Sequence, residues 1–173
     1  PMARKLIDAL RPYEPLFIEE PVEPAYEHEL PSIRQMAGGI PIATGERMYG
    51  SSDFFRLAAN NGVDIFQPDM VHAGGLTNLR RIASIADAAG LGIAPHCPLS
   101  AIAFMGIYHC MVTSRSAFLL ECADGIHYND DAAQKLGENP WLFYVKNKEI
   151  FKLGEDGLMA PPKGAGLGIE FDA

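Results

Sequence analysis

Apolar runs in this chain end repeatedly in an acid or a histidine. Phe17-Ile18 leads into Glu19-Glu20-Pro21, Pro41-Ile42-Ala43-Thr44-Gly45 into Glu46, and Val63-Asp64-Ile65-Phe66-Gln67-Pro68 into Asp69. Leu91-Gly92-Ile93-Ala94-Pro95 leads into His96 and Phe118-Leu119-Leu120 into Glu121. Short apolar runs of this kind predict buried strands, and parallel α/β folds place their chemistry at the C-terminal ends of such strands. From Glu19 the successive intervals are 27, 23, 27 and 25 residues, enough for one strand, one helix and two loops.

Helical spacing fills the intervals. Ala3, Leu6, Ile7 and Leu10 share one side of an opening helix, with Arg4, Lys5 and Asp8 on the other. Residues 26–36 predict a second helix, with Pro31 marking a start or a break and Gly38-Gly39 ending it. Ser51-Ser52-Asp53 offers an N-cap to residues 54–59, and Asn60-Asn61-Gly62 closes that segment. Thr77 or Asn78 is expected to cap a longer helix through Ala89, followed by Gly90. Residues 101–112 are apolar on nearly all sides, which predicts a helix buried on more than one face.

Strand alternating with helix implies a parallel sheet with right-handed crossovers. Five such tipped units suit a (β/α)8 barrel better than a doubly wound sheet, because every strand end of a barrel faces one mouth. A whole barrel takes ~200 to 250 residues. The expected fold is therefore a partial TIM-type barrel, about its last five β/α units, over residues 1–137. From Glu138 the pattern changes to Trp141, Phe143, Tyr144 and Phe151, then a Gly/Pro-rich stretch from Met159 to Gly168 and a short alternating end. Residues 138–173 are expected to form a C-terminal extension that crosses the barrel or joins a second domain.

Composition narrows the function classes. With 48% hydrophobic and 21% charged residues, the 173-residue chain has the balance of a soluble globular protein. Its formal net charge of -8 argues against a nucleic-acid partner, which needs a basic face. No apolar stretch approaches the ~20 residues that span a bilayer, and the N-terminus lacks the order of a signal peptide. Cys97, Cys110 and Cys122 are odd in number and form no C-x-x-C pair, which favours reduced thiols in the cytoplasm. Cys97 neighbours a candidate site residue but reads as a small core hydrophobe.

Glu19 and Glu46 end neighbouring units and would bring two hard oxygen ligands to one cation, a choice of donors that favours Mg²⁺ over zinc. Capping of the following helix is the plain alternative for either acid alone. Asp69 and His96 would form a dyad in which the carboxylate fixes the imidazole tautomer and leaves the other nitrogen as general base. His72-Ala73-Gly74-Gly75 reads most simply as a tight strand-to-helix turn, with an anion site as its alternative.

Several motifs carry a family resemblance: Phe17-Ile18-Glu19-Glu20-Pro21, Gly45-Glu46-Arg47, Gln67-Pro68-Asp69 with His72-Ala73-Gly74-Gly75, Ala94-Pro95-His96-Cys97-Pro98-Leu99 and Gly125-Ile126-His127-Tyr128-Asn129. They resemble the mandelate racemase branch of the enolase superfamily, and within it the acid-sugar dehydratases of galactonate type. The resemblance implies that Glu19 and Glu46 are Mg²⁺ ligands and that Asp69 and His96 are the general-base dyad. Glu121 matches the family acid that hydrogen-bonds the substrate carboxylate on the face away from the metal. The implied chemistry is removal of the proton α to a carboxylate, then loss of the β-hydroxyl.

In the family a first Mg²⁺ ligand, an aspartate, ends the strand before the one carrying Glu19. A histidine near it assists the leaving hydroxyl, and an N-terminal domain caps the site. The resemblance places all three upstream of Pro1, so this polypeptide alone is expected to be inactive and to form a homo-oligomer through its open sheet edges. A racemase or epimerase of the same superfamily, and a non-catalytic fragment that assembles only with partner chains, are the rival readings.

Overall fold

The structure, a computed structural model, describes residues 2–98, 100–122 and 142–172. Four strands, β1 (Ile18–Glu19), β2 (Ile42–Thr44), β3 (Ile65–Phe66) and β4 (Gly92–Ile93), form one parallel sheet in chain order. The helices are α1 (Met2–Leu10), α2 (Leu30–Met36), α3 (Ser51–Ala59), α4 (Leu76–Ala89) and α5 (Ala101–Met111). Strand followed by helix with sequential parallel pairing is the arrangement of a partial TIM barrel, as the spacing predicts.

Alternation along the strands sorts the side chains into two layers. Ile18, Ile42, Phe66 and Ile93 point into the main core, where they meet Leu30, Ile33, Phe54, Leu57, Leu79 and Ile82 from the helices. Ala43, Ile65 and Ala94 form a smaller cluster with Phe17 on the opposite face. Phe54 of α3 meets Phe66 edge to face, with ring centroids 5.1 Å apart. At the other end of the sheet, Asp64 Oδ2 accepts from the Ile42 amide at 2.9 Å, and Asp64 Oδ1 accepts from Arg34 Nε and Nη2 at 3.0 and 2.7 Å.

The expected fifth strand is reduced. Ile93 pairs with Ala117 in a single parallel bridge. The Phe118 amide then donates to Ile93 O at 3.3 Å and the Glu121 amide to Pro95 O at 3.4 Å. The backbone thus follows β4 up to Glu121 without a continuous ladder. Phe118 and Leu119 are exposed, and among the described residues no strand lies on their far side to flatten the segment.

Two expected caps are also corrected. Helix α3 begins at Ser51 and α4 at Leu76, with Gly50 and Gly75 as N-caps and no side-chain cap at either. Both glycines have positive φ, 82° and 86°, so backbone geometry alone turns the chain into each helix. Asp53 sits inside the first turn of α3, where Oδ2 accepts from the Tyr49 amide at 2.9 Å. Residues 26–36 split into a 3₁₀ segment, Pro24–Glu29, and α2, with Pro31 in the first turn of α2. Leu6, expected on the buried side of α1, is exposed, and Ile7 is the buried residue of that helix.

Helix α5 buries eight of its residues, in line with its apolar sequence. Part of that cover comes from residues 142–172. Tyr144 Oη accepts from the Ala101 amide at 3.0 Å, Tyr108 Oη donates to Met159 O at 2.8 Å, and Phe151 meets Phe104 with centroids 5.8 Å apart. The expected boundary between residues 137 and 138, Trp141 and the motif at 125–129 lie outside the described residues. Among the described residues no helix is long and apolar enough to cross a membrane.

Candidate active site

The C-terminal ends of the strands bring His96, Asp69, Glu46 and Glu121 together. Asp69 follows β3 and is 5% exposed. Its Oδ1 accepts from the amides of Val71 at 2.7 Å and His72 at 3.2 Å, which fixes the carboxylate plane. Its Oδ2 lies 3.0 Å from His96 Nδ1. A carboxylate only accepts, so Nδ1 carries the hydrogen, and in the neutral ring Nε2 presents a lone pair. That Nε2 lies 3.4 Å from Glu46 Oε2 and 4.0 Å from Glu121 Oε2. Glu121 Oε2 is itself held by the Cys97 amide at 2.9 Å, which ties the end of the fifth segment to the His96 loop.

Glu19 and Glu20 are adjacent and do different things. The Glu20 amide donates to Ala43 O at 2.9 Å, and Glu20 then turns into the left-handed region at φ 45°. Its Oε1 accepts from the Thr44 hydroxyl and from the Gly45 amide. Its Oε2 is buried without a hydrogen-bond partner among the described residues, with Arg47 Nε within ion-pair reach at 3.7 Å. Glu20 therefore braces β1 against β2. Glu19, by contrast, is exposed, and its Oε1 accepts from Gln67 Nε2 at 2.7 Å.

Arg47 also reaches Glu46, with Nε 3.3 Å from Oε1. His72 Nδ1 faces the Glu46 carbonyl oxygen at 2.8 Å and donates to it, fixing the loop after β2. Gly45 is required here by space as well as by its φ of 141°. A Cβ at that position would lie 2.7 Å from Phe54 Cε1 and 3.1 Å from the Gln67 amide nitrogen.

Glu19, Gln67 and Glu121 share the wall of a cavity of about 230 Å³ with Phe17, Ala94 and Leu120. A larger groove of about 810 Å³ lies between α4 and α5, on the helix side and away from these acids. Cys97 is buried, and burial foremost, with the negative charges of Asp69 and Glu121, pushes its thiol up to about 12. It is a protonated core side chain and no nucleophile. The sequence reading missed the Glu20 brace and the Gln67 bond. The signal available for Gln67 was its place two residues after Ile65 and two before Asp69, a polar side chain at a position that strand alternation turns inward.

Residues 1–173 match the Enolase C-terminal domain-like family. The chain belongs to that family. The chain is 44% identical over 172 residues to the D-galactonate dehydratase of Cronobacter sakazakii, a match covering 99% of this chain and 43% of that protein. The chain thus spans less than half the length of this relative. Among solved structures, the mandelate racemase/muconate lactonizing enzyme from Sulfitobacter sp. is 29% identical, with a TM-score of 0.82 over 98% of this chain and 39% of that one. An enolase from Agrobacterium radiobacter, bound to Na and L-malate, is 38% identical with a TM-score of 0.66, covering 69% of this chain and 30% of that one.

Proposed function

We propose that these residues form the base-bearing part of an acid-sugar dehydratase of D-galactonate type. The observation that carries the reading is the His96 ring, held at Nδ1 by Asp69 at 3.0 Å, with Nε2 between Glu46 and Glu121. A base so held is suited to removing a proton from carbon next to a carboxylate. His96 Nε2 takes the C2 proton of the acid sugar, and Asp69 keeps the imidazole in the tautomer that can accept it. Glu121, in its carboxylic acid form, would donate a hydrogen bond to the substrate carboxylate. The C3 hydroxyl leaves as water with a proton from a general acid, the role the resemblance gives to a histidine near the first Mg²⁺ ligand, and the resulting enol tautomerises to the 2-keto-3-deoxy acid. The named activity of the Cronobacter relative supports this choice of substrate.

The donor set suits Mg²⁺. Glu19 and Glu46 offer hard carboxylate oxygens at neighbouring strand ends, and no thiolate stands with them. Among the described residues no group of three or more His, Cys, Asp or Glu is arranged to hold a metal ion, so Glu19 and Glu46 would hold Mg²⁺ only as part of its shell. When bound, Mg²⁺ supplies Lewis-acid stabilisation of the charge that develops on the substrate carboxylate.

Proton NMR of D-galactonate in D₂O tests the reading on a full-length relative carrying the same motifs, with the substitution made at the residue that matches His96, because this polypeptide alone is expected to be inactive. The C2 proton is expected to exchange and the 2-keto-3-deoxy product to form, and both should vanish in His96→Ala. Exchange at an undiminished rate in that variant removes His96 from the base role. Exchange giving the C2 epimer without loss of the hydroxyl replaces the dehydratase with a racemase.

A further inference from the structure

We propose that Gln67 is a positioning residue that fixes the carboxylate of Glu19 for cation binding, an inference that rests on the reading of Glu19 as a ligand. Gln67 follows β3 and Glu19 ends β1, so their bond crosses the whole width of β2. The crossing is possible because β2 and its exit present Ala43, a small residue, and Gly45, which has no side chain, between them. Gln67 is 5% exposed, and Nε2 donates to Glu19 Oε1 at 2.7 Å.

The other half of the amide makes the bond informative. Gln67 Oε1 is buried and has no hydrogen-bond partner among the described residues. Burying half of an amide unpaired weakens a fold, and an aliphatic side chain of the same length would fill the space without that penalty. What the amide provides is a donor that locks one oxygen of an exposed acid. Glu19 Oε2 has no hydrogen bond or ion pair among the described residues and is left to bind. Ligating carboxylates are commonly held in this way, and loss of the holding group weakens metal binding about 10–100-fold.

The test is Mn²⁺ titration of the full chain, read by the electron paramagnetic resonance of free Mn²⁺. Gln67→Met removes the donor at nearly constant size, and Gln67→Asn keeps the amide but is one methylene too short to reach. Both are expected to raise the Mn²⁺ Kd about 10–100-fold. Thermal unfolding of Gln67→Met should stay close to that of the parent. If the parent binds Mn²⁺ and both variants bind it within about twofold, the positioning role is overturned and the ligand reading of Glu19 stands. If the parent binds no Mn²⁺, the ligand reading falls and this inference with it.

Discussion

Replacing Asp69 with Asn should disable the base by reversing the imidazole tautomer. Asp69 Oδ1 accepts two backbone amides, from Val71 at 2.7 Å and His72 at 3.2 Å. In Asp69→Asn those donors still demand an acceptor, so the amide oxygen stays with them and the NH₂ group faces His96 Nδ1. Two donors cannot face each other, and Nδ1 must become the acceptor. The hydrogen moves to Nε2, the atom proposed to accept the substrate proton. General bases contribute about 10²–10⁴ in rate, so C2 exchange should fall by that factor, equal to about 2.7–5.4 kcal/mol of barrier. The loop anchors survive the change, and the thermal midpoint should move little. Exchange of D-galactonate C2–H followed by NMR, beside a melt, reads both quantities. An Asp69→Asn enzyme within about threefold of the parent refutes the assignment of Asp69 as the group that sets the tautomer.

Two further outcomes follow from the packing. Because the Cys97 thiol is pushed up to about 12, above its ordinary 9.0, iodoacetamide at pH 8 should label it in unfolded chain and spare it in folded chain, as read by mass spectrometry. The same shift means that this thiol's contribution to stability is intact below about pH 9 and is lost as the pH climbs toward 12. Labelling of the folded chain as fast as the unfolded one counts against this burial. Asp64→Ala removes the acceptor for Arg34 and for the Ile42 amide, both part-buried bonds, and should cost about 1.5–3 kcal/mol. An unchanged urea midpoint would show that the lower end of the sheet does not depend on it.

The sheet order and the His96–Asp69 pair were legible because both follow from repetition. An apolar run ending in a polar residue, repeated at one strand-helix interval, fixes which end of the sheet the residue occupies and which neighbours it meets. What stayed hidden depends on contacts that spacing does not encode. Ser51 and Thr77 looked like caps because their side chains are competent to cap, whereas Gly50 and Gly75 start α3 and α4 by backbone angle. The Phe118-Leu119-Leu120 run has the composition of a buried strand, but after the single bridge between Ile93 and Ala117 its backbone follows β4 only through scattered hydrogen bonds, a departure from ladder geometry that apolar composition does not encode. Ser100 caps α5 by accepting from the Ile102 and Ala103 amides, and its hydroxyl also meets Tyr144, a residue 44 positions away that no local pattern connects to it.

The two neighbouring acids at the end of β1 are not spares for each other. Glu19 faces the mouth, while Glu20, turned by its left-handed backbone, is fastened to Thr44 and Gly45. Moving the acid one place along the chain would therefore not relocate a ligand; it would take the fastening away from β2 and leave the mouth as it was. Any comparison that aligns a single acid here has to settle which of the two it has found, because a slip of one residue exchanges the proposed ligand for a piece of scaffolding.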